Sequence, residues 1–324
     1  MKIVTFFVAA AILCWLCAPS NAVEGSSAAG PIGGTDIRSA QLPPPGLYGG
    51  TIQLYAEANQ YFDGSGNLVP GLSGLDLSRI RAGPFLLAVP EVQIFGGSIG
   101  FFGILPTGIE CGRLVVTTPT RCVSGFGDPY VEVAWSRYFG KVRPSRDPGA
   151  FPIAEGLTIA LGFGTVVPVG RYNARDATMQ GLLIGNNLWD FAPTAAITFV
   201  TVPILAEGTE ISAKLYWNNY LENPATRYQT GDLINVDFAV SEHIGRFQVG
   251  LAGFYAFQIE DDRLYGVRIP PDGRRTEILS LGGVLAYDLP EFGVSLKIKT
   301  LSTVIEHNTV RSPYGVAIGW IKKF

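Results

Sequence analysis

The 324-residue sequence predicts an all-β fold, a transmembrane antiparallel β-barrel of about twelve strands. Three observations predict it. Apolar residues alternate with polar or very small ones in segment after segment. The connections between those segments alternate between tight and long, and the chain ends on an aromatic strand, "YGVAIGWIKKF". Beyond the N-terminal region no run approaches the roughly 18–20 apolar residues that a membrane-spanning helix needs. With 47% hydrophobic and only 16% charged residues, the apolar content must therefore be spread at period 2, as a barrel spreads it.

The first 22 residues read as a signal peptide. Lys2 supplies the positive start, "IVTFFVAAAILCWLCA" the apolar stretch, and Ser20-Asn21-Ala22 the small residues of a cleavage site. Residues 23–46, "VEGSSAAGPIGGTDIRSAQLPPPG", are Gly/Pro-rich and carry no strand pattern. They form either a periplasmic leader or a plug across the barrel mouth, and the barrel itself occupies 47–324. A formal net charge of −3 without a basic patch excludes nucleic acid as a partner. Cys14 and Cys17 leave with the signal. Cys111 and Cys122 remain, in a compartment where disulfides persist, and are expected to form one bridge. Such a short loop is worth roughly 2–3 kcal/mol in the chain-entropy reading.

The alternation is explicit in "GTIQLYAEAN" (50–59), "YVEVAWSRYF" (130–139), "GLTIALGFG" (156–164) and "EISAKLYWNN" (210–219). Strands are expected near 48–59, 85–95, 97–105, 129–139, 156–167, 191–203, 210–221, 232–241, 246–258, 276–288, 292–304 and 313–324. The connections at 204–209, 242–245 and 289–291 are tight, whereas 222–231, 259–275 and 305–312 are long and polar. That asymmetry places both chain ends on the periplasmic side. In hydrocarbon no water can pair a sheet edge, so the sheet has to close. Trp135, Tyr138, Trp217, Tyr220, Tyr255, Tyr287, Tyr314 and Trp320 stand near strand ends, as aromatic girdles would.

The face opposite the apolar one is expected to line the lumen. It carries Tyr55, Glu57, Glu132, Lys214, Tyr216, Asn218, Asp237, Gln248, Phe254, Gln258, Lys297 and Lys299. Three carboxylates against three lysines make no single-sign selector. These residues either fill and brace a narrow lumen or line a channel for small, weakly charged, apolar or aromatic solutes. Trp320 and Phe324 are read as a membrane-insertion signal for the barrel-assembly machinery. Outer-membrane lipid is the other expected partner.

No cofactor or metal is expected, since the two His are far apart and a His/Cys cluster cannot form. Asp261-Asp262 in a long loop is read as solvated. The enzymatic alternative is a lipase built on Ser302, His307 and Asn308, although Ser302 would face away from His307 on the strand. A structural or adhesive barrel with a filled lumen is the third reading.

Several stretches resemble a family of outer-membrane proteins named for the meta-cleavage pathway of phenol degradation, proposed to transport aromatic compounds. They are "LPPPGLYGGTIQLYAEANQYFDGSGN" (42–67), "GFGDPYVEVAW" (125–135), "PVGRYN" (168–173), "NNLWDFAPTAAIT" (186–198) and "YWNNYLENPATRYQTGD" (216–232), with the chain end "YGVAIGWIKKF". The resemblance implies an exported β-barrel in the outer membrane of a Gram-negative bacterium and a role in the uptake of hydrophobic compounds. It supplies no catalytic residues, and the Cys111/Cys122 loop is not part of its pattern.

Overall fold

A computed structural model describes residues 30–72 and 74–324. The expected signal peptide and the start of the Gly/Pro-rich segment lie outside those residues. The first strands are β1 (Gly46–Ala58), β2 (Asp76–Val89), β3 (Gly97–Ile104) and β4 (Tyr130–Arg143). The wall continues through β5 (Ile153–Val166), β6 (Asp190–Val200), β7 (Thr209–Tyr220) and β8 (Leu233–Ile244). It finishes with β9 (Phe247–Gln258), β10 (Glu277–Leu289), β11 (Val294–His307) and β12 (Gly315–Lys323). All neighbours are antiparallel, and β12 pairs with β1 from Tyr48↔Lys323 to Ala56↔Gly315, which closes the sheet into a twelve-stranded barrel. No described helix is long and apolar enough to cross a membrane.

The alternation read in the sequence is realised as two faces. On β4, β5 and β7 the outward residues are Val131, Val133, Leu161, Phe163, Ile211 and Trp217, all exposed, while Glu132, Thr158, Ser212 and Asn218 are buried inside. Leu251 at mid-strand is 73% exposed, a value that only a lipid-facing position makes reasonable for leucine. Small inward residues leave room for large ones. A Cβ on Gly164 would stand 2.0 Å from the Tyr130 hydroxyl oxygen, so glycine there lets that ring cross the lumen. Arg137 is a charge on the outer face. Its guanidinium donates to the Phe95 carbonyl at 3.0 Å and lies 4.7 Å from the Phe139 ring centre, a snorkelling geometry at the rim.

The connections keep the expected asymmetry. Gly245-Arg246 joins β8 to β9, with Gly245 at φ +56°, and Pro290–Phe292 with Gly293 joins β10 to β11. The opposite end carries the long connections 59–75, 105–129, 167–189, 221–232 and 259–276. All five carry some regular structure, and two of them bear on the barrel mouth. Strands Thr107–Arg113 and Arg121–Phe126 form a hairpin that prolongs β3 and β4, and Cys111 and Cys122 face each other in it with an S–S bond of 2.04 Å. The 167–189 connection holds helix α1 (Ala174–Gln180), capped by Asn173 and ended by Gly181 at φ +66°. Its exit folds into the barrel mouth, where Leu182 and Ile184 are buried against Ala58, Leu75, Leu77, Leu114 and Val123.

Three expectations need correction. The second strand runs over Asp76–Val89 rather than near 85–95. Its first half carries Arg79 and Arg81, and these charges point inward onto Glu110 at 2.6 and 3.1 Å. Tyr55 and Glu57 lie on the outer face. Tyr55 pairs in register with Val316, next to the outward Ile318, whereas Ile52 and Leu54 pair with Gly319 and Ala317 inside. Glu57 sits exposed near the extracellular rim and accepts a hydrogen bond from the Tyr55 hydroxyl. Tyr138 and Tyr220 leave the expected girdle. Tyr220 is buried inside, and Tyr138 on the inward face donates to the Glu155 carbonyl at 2.8 Å.

Candidate functional lumen

Residues 30–45 run inside the barrel, from the extracellular half down to the periplasmic rim. This inner segment has no internal ladder, so its backbone groups must find partners on the wall. Asp237 on β8 accepts from the amides of Gly33 (2.9 Å) and Thr35 (2.8 Å) and from the Thr35 hydroxyl (3.0 Å). Asp36 pairs with Lys297 at 2.7 Å and with Lys299 at 3.0 Å on β11. Lys299 also donates to the carbonyls of Gly33 and Thr35. Lower down, Arg38 meets Asp288 at 2.7 Å and Gln248 at 2.8 Å, and its amide donates to Glu210 at 2.6 Å. Glu210 in turn lies 3.2 Å from His243. Ile37 fills the space between Ala239, Ala252, Val284 and Ala286.

All these anchors belong to β7–β11. Beyond Arg38 the segment crosses the lumen: the Ala40 amide donates to Thr198 on β6 at 3.1 Å, and its carbonyl accepts from Ser136 on β4. A cavity of about 290 Å³ remains between it and the half formed by β1–β7. Its apolar wall is Ile52, Leu87, Phe102, Ile104 and Ala134, faced by Leu42 of the inner segment. Its polar corner is Glu132, Lys214, Tyr130 and Thr194. Lys214 bridges both Glu132 oxygens at 2.7 and 2.8 Å, and the Tyr130 and Thr194 hydroxyls donate to them at 3.1 and 2.9 Å. A buried charge pair is tolerable only with such complete hydrogen bonding. The ammonium also stands 4.9 Å from the Tyr216 ring centre.

Of the residues expected to line the lumen, Glu132, Lys214, Tyr216, Asn218, Asp237, Gln248, Phe254, Gln258, Lys297 and Lys299 lie on the inward face. Glu132, Lys214, Tyr216 and Lys297 border the cavity. Asp237 and Lys299 hold the inner segment instead, and Gln258 binds Asp262 at 2.6 Å near the extracellular end. Sequence reasoning missed Asp36, Arg38, Glu210 and Asp288. The available signal was that Asp36 and Arg38 are the sole charges in residues 30–45.

The outer loops carry a second cavity of about 370 Å³, bordered by Tyr255, Arg275, Glu277 and His307. His307 Nδ1 lies 2.8 Å from Glu277, whose other oxygen accepts from Tyr255 at 2.6 Å. Ser302 sits on the lipid-facing side of β11, opposite Leu281, so the structure does not bring Ser302 and His307 together. Asp261 is bound by Arg268 and Arg275, each at 2.7 Å. Asp262 is buried, and burial pushes its carboxyl up to about 6 although Tyr228, Gln258 and the Gly231 amide donate to it. Among the described residues no group of three His, Cys, Asp or Glu is arranged to hold a metal ion.

Residues 58–310 match the model of the family described as "Putative MetA-pathway of phenol degradation". The chain belongs to this family. No curated protein gives a significant match. Among solved structures, the COG4313 outer membrane channel from Pseudomonas putida F1 is similar at a TM-score of 0.74 and 14% identity, covering 90% of this chain and 100% of that one. The NanC porin covers 85% of this chain and 100% of its own at a TM-score of 0.44 and 8% identity. The likeness to the COG4313 channel, at 14% identity, is one of fold. Together with the closed, lipid-faced barrel it makes this member of the family a Gram-negative outer-membrane β-barrel.

Proposed function

We propose that the protein is a passive outer-membrane channel for small, largely apolar or aromatic solutes, which pass through the cavity between the inner segment and the β1–β7 wall. The carrying observation is the asymmetric interior. A segment held through charged contacts fills the β8–β11 side, and an apolar-walled cavity large enough for a single ring remains between it and the β1–β7 wall. An interior meant only for bracing would be closed on all sides, as the β8–β11 half is around Ile37. Family membership and the fold shared with an outer membrane channel support the same reading.

Uptake of a labelled phenolic solute by liposomes tests it. Vesicles carrying the pure protein should fill several times faster than empty ones. Equal rates would remove the transport reading and leave a structural barrel.

A further inference from the structure

Resting on the channel reading, we propose that the cavity selects aromatic solutes bearing one carboxylate over neutral aromatic ones. The argument is a count of hydrogen-bonding capacity at its lining. Glu132 is saturated, because its two oxygens take Lys214 twice, Tyr130 and Thr194. Asp36 is out of reach, since its side chain is fully buried, with Oδ1 accepting from Lys297 and the Ile37 amide and Oδ2 facing Lys299 at 3.0 Å. Neither carboxylate is therefore open to a solute.

The cations are in the opposite condition. An ammonium has three donors. Lys214 spends two on Glu132, and Lys297 spends one on Asp36, so both retain N–H groups at the cavity surface. Lys299, by contrast, uses its three on Asp36 and the carbonyls of Gly33 and Thr35. The lining carries three cations, Arg38, Lys214 and Lys297, against two carboxylates, Asp36 and Glu132. Arg38 is neutralised by Asp288 just outside the lining, so what the cavity offers a solute is the unspent N–H groups of Lys214 and Lys297. Phe102, Leu42 and Ile104 supply the apolar surface that a ring would cover. A charge-assisted hydrogen bond in such a partly dry site is about twice as strong as a neutral one. The solute that satisfies both halves is an arene with a single carboxylate.

Equilibrium dialysis of the full-length protein in detergent micelles at neutral pH tests this, with labelled benzoate and labelled benzyl alcohol as probes and protein-free micelles subtracted. Benzoate should bind about tenfold more tightly than benzyl alcohol. Lys297→Met keeps Asp36 paired through Lys299. It should weaken benzoate about tenfold and leave benzyl alcohol unchanged. A second variant, Lys214→Met with Glu132→Gln, removes both charges of the buried pair together and should act in the same direction. Equal binding of the two probes, no binding of either, or a preference untouched by Lys297→Met overturns the proposal. Phenolic uptake by liposomes under any of those outcomes would leave the channel reading standing, so the two failures are distinguishable.

Discussion

Replacing Asp36 and Asp237 together with Ala is expected to free the inner segment and raise single-channel conductance in planar bilayers several-fold. Ordering a backbone costs about 1–2 kcal/mol per residue. The inner segment has no ladder of its own, so its place depends on the contacts it makes with the wall. Asp237 supplies three hydrogen bonds to Gly33 and Thr35, and Asp36 supplies the ion pairs with Lys297 and Lys299. Hydrogen bonds to charged groups contribute about 1.5–3 kcal/mol each. Their joint loss leaves Arg38 as the main remaining anchor, through Asp288 and Gln248. The two lysines released by the substitution then repel one another and draw water into the lumen. A chain lacking residues 23–45 should reproduce the same conductance, because both changes empty the same half of the barrel. Conductance unchanged in both proteins would show that the segment does not obstruct the pore.

Leu251→Arg carries the second large effect. Leu251 lies at the middle of β9, paired with Val240 and Gly283, and faces outward. A charge at the bilayer midplane costs roughly 2–4 kcal/mol, falling to roughly 0–1 near the interface. The substitution should abolish most of the heat-modifiable band of outer-membrane fractions. Ile244→Arg, at the periplasmic end of β8 and similarly exposed, should leave that band nearly intact. Equal tolerance at the two positions would mean that Leu251 does not meet hydrocarbon.

Much of the barrel was legible because lipid imposes a strict rule. Every outward position must be apolar and every backbone group paired, so period 2 survives in the sequence wherever the inner face is polar. That rule failed on β1. Ile52 points inward at the cavity that Phe102 and Leu87 also line, and Leu54 shares its face, so the wall there is apolar inside and the alternation loses its sign. Assigning polar residues inward then placed Tyr55 and Glu57 on the wrong side. The cavity and the misread strand thus have one cause, an apolar inner wall. The first half of β2 was lost for the converse reason. Arg79 and Arg81 resemble loop residues until Glu110 of the disulfide hairpin is brought across to meet them. The inner segment carried no periodic signal, because its place is set mostly by distant partners, among them Thr198 and Lys299, and only its two charges hinted at them.

The path through the cavity is tested most directly by narrowing it. Ala134 is half-buried on β4 and lines the cavity. In the liposome uptake assay, Ala134→Phe should bring phenolic entry down to the rate of empty vesicles while the heat-modifiable band of the folded barrel persists. Entry as fast as that of the unchanged protein would contradict the account and place the solute path elsewhere.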